Sequence, residues 1–306
     1  MDSAYRPRRT ILSVPASSER FIAKARDVPV DEVMLDLEDS VAPSAKDEAR
    51  DLVAGALQAG GWDGKLLAVR VNGATTRWAY RDVIAAIESA PGAIDAIVLP
   101  KVSSPAQVAW LDLLLGQVEQ ASGVPLGRTG IEAQIEDAAG LAAVEAIAAA
   151  SPRMAALVFG PGDFMASVGM RSLDVGGHPA GYPYDAHHYT LMRILVAARA
   201  AGLQAIDGPY GRIKDADGLR DSAGSVAALG FDGKWVLHPG QVDIVNEAFS
   251  PSPDDYQRAL AILDAYDKAT SHDARGAVML GEEMIDEASR KMASRMVALG
   301  QAAGLG

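Results

Sequence analysis

The 306-residue chain has no cysteine. That removes disulfides, thiolate nucleophiles, iron–sulfur ligation and cysteine-based zinc sites from consideration. Positive charge is also scarce: 28 Lys and Arg stand against 40 Asp and Glu, for a net charge of −12. Such a balance disfavours nonspecific binding to DNA or RNA, so no nucleic-acid partner is expected, although a local cationic pocket can still hold a phosphorylated cofactor. Apolar runs such as Ala148–Ala150 are short and none reaches membrane length, so no membrane partner is expected. The opening Met1-Asp-Ser-Ala-Tyr-Arg-Pro-Arg-Arg lacks the apolar stretch of a signal peptide, and a cytoplasmic protein is the expectation. Neither a Walker motif nor a dinucleotide fingerprint occurs.

What is present is a rhythm. Eight candidate strands lie near residues 10–15, 32–37, 66–71, 94–100, 130–136, 154–160, 203–207 and 234–238. Between most of them run Ala-, Leu- and Glu-rich stretches of helical periodicity at 45–59, 78–90, 105–121, 138–150 and 187–201, with a shorter one from Asp215 to Leu229. Eight alternating units without a dinucleotide fingerprint predict an α/β fold of the (β/α)8 TIM-barrel type over residues 1–240. Helical patterns at 241–248, 253–268 and 286–300, with a Gly-marked break near 276–281, predict a C-terminal helical extension over 241–306 that can act as a lid.

Acidic residues gather where the extended apolar segments end. A strand buried on both faces tolerates a carboxylate poorly in its middle but readily at its C-terminal mouth, where barrel active sites form. Glu136 and Asp163 follow strands five and six, which are neighbours in such a barrel, and a carboxylate pair there suits Mg2+. Glu132 shares strand parity with Glu136 and is expected near the rim as a supporting group. Glu38 and Asp39 follow strand two, either orienting metal-bound water or forming a polar turn. Arg70 ends strand three; its planar fork suits a substrate carboxylate, with a structural salt bridge to Glu38 or Asp39 as the competing account. Lys101 stands at another strand mouth, where solvation alone can explain it, and Lys46 falls in what reads as an exposed helix. Ser13-Val-Pro-Ala-Ser-Ser-Glu-Arg20, with Lys24 in the following helix, has the makings of an anion-facing turn. His178, His187 and His188 make no convincing zinc triad, and His238 is a modest rim candidate. Asp286 reads either as the N-cap of the last helix or as a lid carboxylate.

Several separated motifs carry a family resemblance over residues 8–302. They include Leu35-Asp-Leu-Glu-Asp-Ser-Val-Ala-Pro43, Val69-Arg-Val-Asn-Gly73, Leu99-Pro-Lys-Val102, Ile135-Glu-Asp-Ala-Ala-Gly140, Gly160-Pro-Gly-Asp163, Ile206-Asp-Gly-Pro209, Gly233-Lys-Trp-Val-Leu-His-Pro239 and Met284-Ile-Asp286. With these the chain resembles the citrate-lyase β-subunit-like, or HpcH/HpaI aldolase, superfamily, in particular its L-malyl-CoA/β-methylmalyl-CoA lyase branch. The resemblance implies Glu136 and Asp163 as Mg2+ ligands and Arg70 on the substrate's carboxylate and carbonyl oxygens. It further implies Glu38 and Asp39 around the metal's outer shell, coenzyme A contacts from Arg20 and Lys24, and Asp286 as the proton-transferring lid acid. The lid of such relatives can come from a neighbouring subunit, which implies a homotrimer or a homohexamer of trimers. The implied reaction is reversible C–C cleavage of a β-hydroxyacyl-CoA to an acyl-CoA and glyoxylate. A malyl-CoA thioesterase, a citramalyl-CoA lyase and a noncatalytic acyl-CoA-binding protein are the alternatives. The chain departs from the family pattern at Ala16, where glycine is frequent, at Ser18, where a basic residue is usual, and in a comparatively short 169–186 connection.

Overall fold

A computed structural model of the chain describes residues 6–176, 181–272 and 276–306; His178 lies outside them. Eight parallel strands close into a barrel in sequence order, the first pairing with both the second and the eighth. They are β1 (Thr10–Pro15), β2 (Glu32–Asp36), β3 (Leu66–Arg70), β4 (Ala96–Leu99), β5 (Gly130–Ile135), β6 (Met154–Phe159), β7 (Gln204–Asp207) and β8 (Gly233–Val236). Helices fill the connections, so both faces of the sheet are covered and the strands read as continuous apolar runs. The (β/α)8 expectation holds. Residues Arg8–Asn246 form one compact unit, and Glu247–Gly306 belongs to a second.

The pleat decides which residues face the barrel axis. Ile11, Met34, Ala68, Val98, Ala156, Val158, Ile206 and Trp235 form one buried apolar cluster. Their register partners Glu32, Arg70, Glu132 and Gln134 therefore share that inner face. The interior is thus polar at both ends and apolar between them. At the floor, the Arg8 Nε–H lies 2.8 Å from Glu32 and 2.9 Å from Glu132, and its Nη1 donates to Gln204. This corrects the expectation for Glu132. It shares a face with Glu136 but lies four residues lower on the strand, roughly 13 Å at strand rise, and belongs to the floor.

The β5–β6 pairing contains one irregularity. Ile131 faces Met154, but Glu132 already faces Ala156, so Ala155 is an extra residue in β6. Two further expectations also change. The single helix expected over 138–150 is two, Ala138–Ala142 and Val144–Ala148, joined at Ala143 with ψ near 9°; Gly140 in its middle weakens helical continuity. The glycine-marked break near 276–281 is an antiparallel hairpin of β9 (Val278–Leu280) and β10 (Glu283–Ile285). Its two-residue turn uses Gly281 at φ 61°, a backbone angle that glycine adopts without strain.

Candidate active site

The C-terminal mouth of the barrel gathers charge from the ends of five strands, β2 to β6. Glu136, the residue after β5, is 2% exposed. One carboxylate oxygen accepts the Lys101 backbone N–H at 2.6 Å and the other accepts Gln134 Nε2 at 2.6 Å. Burial pushes its carboxyl up to about 8; the Lys101 N–H opposes the rise and the charge of Asp163 adds to it. Asp163 therefore acts on Glu136 electrostatically. It sits in the first turn of the helix Pro161–Ser167 directly after β6, and it is exposed. Between the two elements Gly160 leaves necessary space: a Cβ there would lie 2.5 Å from Glu136 Cβ and 2.6 Å from Glu136 Oε2.

Arg70 is nearly buried, with 8% exposure, and its fork is already engaged. Its Nε and Nη2 each donate at 2.7 Å to the two oxygens of Asp36, a residue that is itself fully buried at the end of β2. The salt-bridge account of Arg70 named Glu38 or Asp39; the bidentate partner is Asp36 instead. Glu38 is the secondary contact, 3.3 Å from Nη1, and the Trp235 ring lies under the guanidinium at 5.2 Å. Burial opposes charge on Asp36, but Arg70 outweighs it and holds the carboxyl below the usual carboxylate range. Asp36 was missed because its partner is 34 residues away in sequence and leaves no local pattern.

Glu38 is buried and Asp39 exposed, and the Lys101 ammonium binds both. Burial raises Glu38 above the ordinary carboxylate range against the pull of Arg70 and Lys101. Lys101 is more than a solvated lysine. It is the one non-glycine residue at positive φ among the described residues, with φ 53°. That backbone turn lets its N–H reach Glu136 while its side chain reaches the Glu38–Asp39 pair, and strain of this kind concentrates at functional sites. Lys46 corrects a second expectation: it is buried, not exposed, and its ammonium donates to the carbonyls of Leu37 and Glu38 at 2.8 and 2.7 Å. It fastens the loop that carries Glu38. A cavity of about 360 Å³, bordered by Glu38, Asp39, Asn72, Trp78 and Lys101, opens beside these groups.

Arg20 and Lys24 are both exposed on the short helix Glu19–Ala25. Lys24 borders a cavity of about 230 Å³ between β1 and the end of β8, where His238 also lies, and the Arg20 guanidinium lies over Phe21. Asp286 belongs to the second compact unit. There it is the N-cap of the helix Glu287–Ala302, accepting the Ser289 N–H at 3.0 Å. That hydrogen bond holds its carboxyl below the usual range. His187 is buried and His188 exposed, and among the described residues no group of three or more His, Asp or Glu side chains is arranged to hold a metal.

Paired carboxylates, a locked arginine and a strained lysine at the rim of a (β/α)8 barrel describe an enzyme of the barrel class that handles oxyanions. Residues 9–239 match the HpcH/HpaI aldolase/citrate lyase family, and the chain belongs to it. It is 39% identical over 303 residues to the L-malyl-CoA/β-methylmalyl-CoA lyase of Cereibacter sphaeroides, covering 95% of this chain and 94% of that one. A (3S)-malyl-CoA thioesterase of the same organism is 36% identical, with 90% and 89% covered. Among solved structures, the CitE protein of Mycobacterium tuberculosis, in complex with magnesium, acetoacetate and coenzyme A, aligns with a TM-score of 0.74 at 30% identity, covering 98% of this chain and 99% of that one. No helix among the described residues is long and apolar enough to cross a membrane.

Proposed function

We propose that the protein catalyses Mg2+-dependent, reversible cleavage of L-malyl-CoA or β-methylmalyl-CoA to acetyl-CoA or propionyl-CoA plus glyoxylate. The carrying observation is the buried Glu136 beside Asp163, with Arg70 held in the same mouth. The donor set fits the metal. Mg2+ prefers carboxylate oxygens, keeps several waters and needs only one or two protein carboxylates; Gly160 leaves its own side of Glu136 Oε2 clear, while Gln134 Nε2 donates to that oxygen and holds it in place. Glu136 and Asp163 would hold it, with Glu38 and Asp39 turned to its outer shell. When bound, it would supply positive charge that polarises the glyoxylate aldehyde for carbon–carbon bond formation and eases loss of the hydroxyl proton before cleavage.

The chain's own residues do the rest. Arg70 holds the carboxylate of the glyoxylate portion with the N–H bonds not committed to Asp36. Arg20 and Lys24 offer positive charge to coenzyme A phosphates. In the condensation direction Asp286 removes the α-proton of the acyl-CoA, the resulting carbanion attacks the aldehyde carbon, and the aldehyde oxygen takes up a proton from solvent to become the hydroxyl; in cleavage the hydroxyl proton leaves to solvent and Asp286 returns its proton to the α-carbon. The extension over 241–306 acts as the lid, contributed by a neighbouring subunit in a homotrimer or homohexamer, and the enzyme works in the cytoplasm on acyl-CoA and glyoxylate.

The kinship to a malyl-CoA thioesterase supports a second reading, in which water attacks the acyl carbonyl. One experiment separates these readings: L-malyl-CoA, β-methylmalyl-CoA and citramalyl-CoA are each supplied with Mg2+ and the products resolved by mass spectrometry. Acyl-CoA plus glyoxylate from the first two, lost on chelation and restored by Mg2+, is the expected result. Free CoA with intact hydroxyacid identifies the thioesterase, pyruvate from citramalyl-CoA a citramalyl-CoA lyase, and no turnover a binding protein.

A further inference from the structure

We infer that Asp36 is a positioning residue for the two-carbon acceptor: by gripping Arg70 along one edge, it fixes which guanidinium N–H bonds meet the glyoxylate carboxylate. This rests on the proposed lyase reading and names a residue that does not itself touch substrate.

The geometry constrains Arg70 from three directions. Asp36 and Arg70 are direct register partners on β2 and β3, so their backbones are fixed relative to each other by the sheet. The Nε/Nη2 edge is paired with both Asp36 oxygens at 2.7 Å, which sets the rotation of the guanidinium plane. Trp235 sets its tilt from below. Two of the five N–H bonds are thereby used, and the rest lie at the Nη1/Nη2 end. Nη1 points towards Glu38 and Gln134, at 3.3 and 3.5 Å, and Gln134 in turn donates to Glu136. The end of the arginine left for an anion is thus the end that faces the candidate metal ligand.

Asp36 is anchored as firmly as what it holds. One of its oxygens also accepts the Glu38 N–H at 2.8 Å, and the side chain has no exposure to solvent. A group with this burial and two charge-assisted hydrogen bonds to one fork cannot rotate without releasing Arg70.

The test uses full-length protein and Mg2+. In Asp36→Asn one carboxylate oxygen becomes an N–H donor facing an arginine N–H donor, which turns the guanidinium. The expected result is a fall on the order of 100-fold in kcat/KM for glyoxylate in the condensation direction, with the KM for acetyl-CoA and the Mg2+ affinity near wild type. In an Arg70→Lys background the same change should add little, because its effect passes through Arg70. Asp36→Glu retains the charge but moves it by one methylene, and it serves if Asp36→Asn does not fold; it too should lose glyoxylate selectively. Equal losses for acetyl-CoA and glyoxylate, multiplicative effects in the double variant, or wild-type behaviour of Asp36→Glu would each overturn the inference. Calorimetric titration with oxalate, an unreactive two-carbon dianion, reads the same arginine without turnover. If the wild type cleaves none of the thioesters yet binds oxalate more tightly than Asp36→Asn, the lyase reading fails and the positioning role stands. If oxalate binds both proteins equally, the positioning role fails.

Discussion

Gly160 shows how much a missing side chain can decide. Its φ of −106° is open to any residue, so no backbone strain demands glycine here. The demand is steric, because a methyl group would occupy the space of Glu136 Cβ and Oε2. Gly160→Ala should therefore displace the carboxylate more than it damages the barrel. Mg2+ affinity is expected to fall by roughly tenfold or more, and stability by about 1–3 kcal/mol from overpacking. Metal titration beside a denaturant curve checks both, and unchanged affinity would show that Glu136 is not placed by this contact. At this scale the sequence was informative about a residue's place wherever that place follows from its own strand end, as for Glu136 and Arg70. It was uninformative where the role depends on a distant partner. Asp36 needs Arg70 to make sense of its burial, and Lys46 looked exposed because the carbonyls it binds belong to a loop rather than to its own helix.

At the scale of elements, all eight barrel strands were legible because uninterrupted apolar segments and helical stretches alternate. The β9–β10 hairpin was not, since strands of three residues are too short for a two-residue period to register. Glu132 was misplaced by a different limit: parity gives the face of a side chain, while its height must be counted along the strand. The last helix poses a sharper question, because Asp286 is its N-cap and also the proposed lid acid. Asparagine caps helices about as well as aspartate. Asp286→Asn should accordingly leave helicity and thermal midpoint near wild type, while exchange of the acetyl-CoA α-proton with solvent falls by about 100-fold or more. Exchange at the wild-type rate in a folded Asn variant would reduce Asp286 to a cap.

For the molecule as a whole, the floor of the barrel makes one contribution to how stability responds to pH. Glu32 and Glu132 share Arg8, and each keeps one buried oxygen that has no hydrogen-bond partner among the described residues. Burial, reinforced by the charge of Glu132, raises the Glu32 carboxyl well above its ordinary value, with Arg8 opposing. A carboxyl whose pKa rises on folding contributes stability below its unfolded value, and that contribution is lost as pH climbs through the folded value. Glu32→Gln can still accept the Arg8 N–H but cannot ionise. It should match or exceed wild-type stability above the ordinary carboxylate range and lose that advantage in acid. Urea midpoints measured across pH test this; parallel curves for the two proteins would contradict it.

The extra residue at Ala155 has a consequence at the opposite end of its strand. Because pairing skips one position there, Ile135 meets Phe159 and the following Glu136 comes alongside Gly160. Had the two strands kept the phase set by Ile131 and Met154, Glu136 would sit beside Phe159, and a benzyl group would stand where the clearance now is. The mouth is therefore written in a reading frame set several residues upstream. Loss of one small residue near the base of β6 changes every neighbour above it at once, an alteration that no single substitution at the rim can imitate. Natural variation through this stretch should accordingly be tolerant of exchanges at position 155 and intolerant of changes in length.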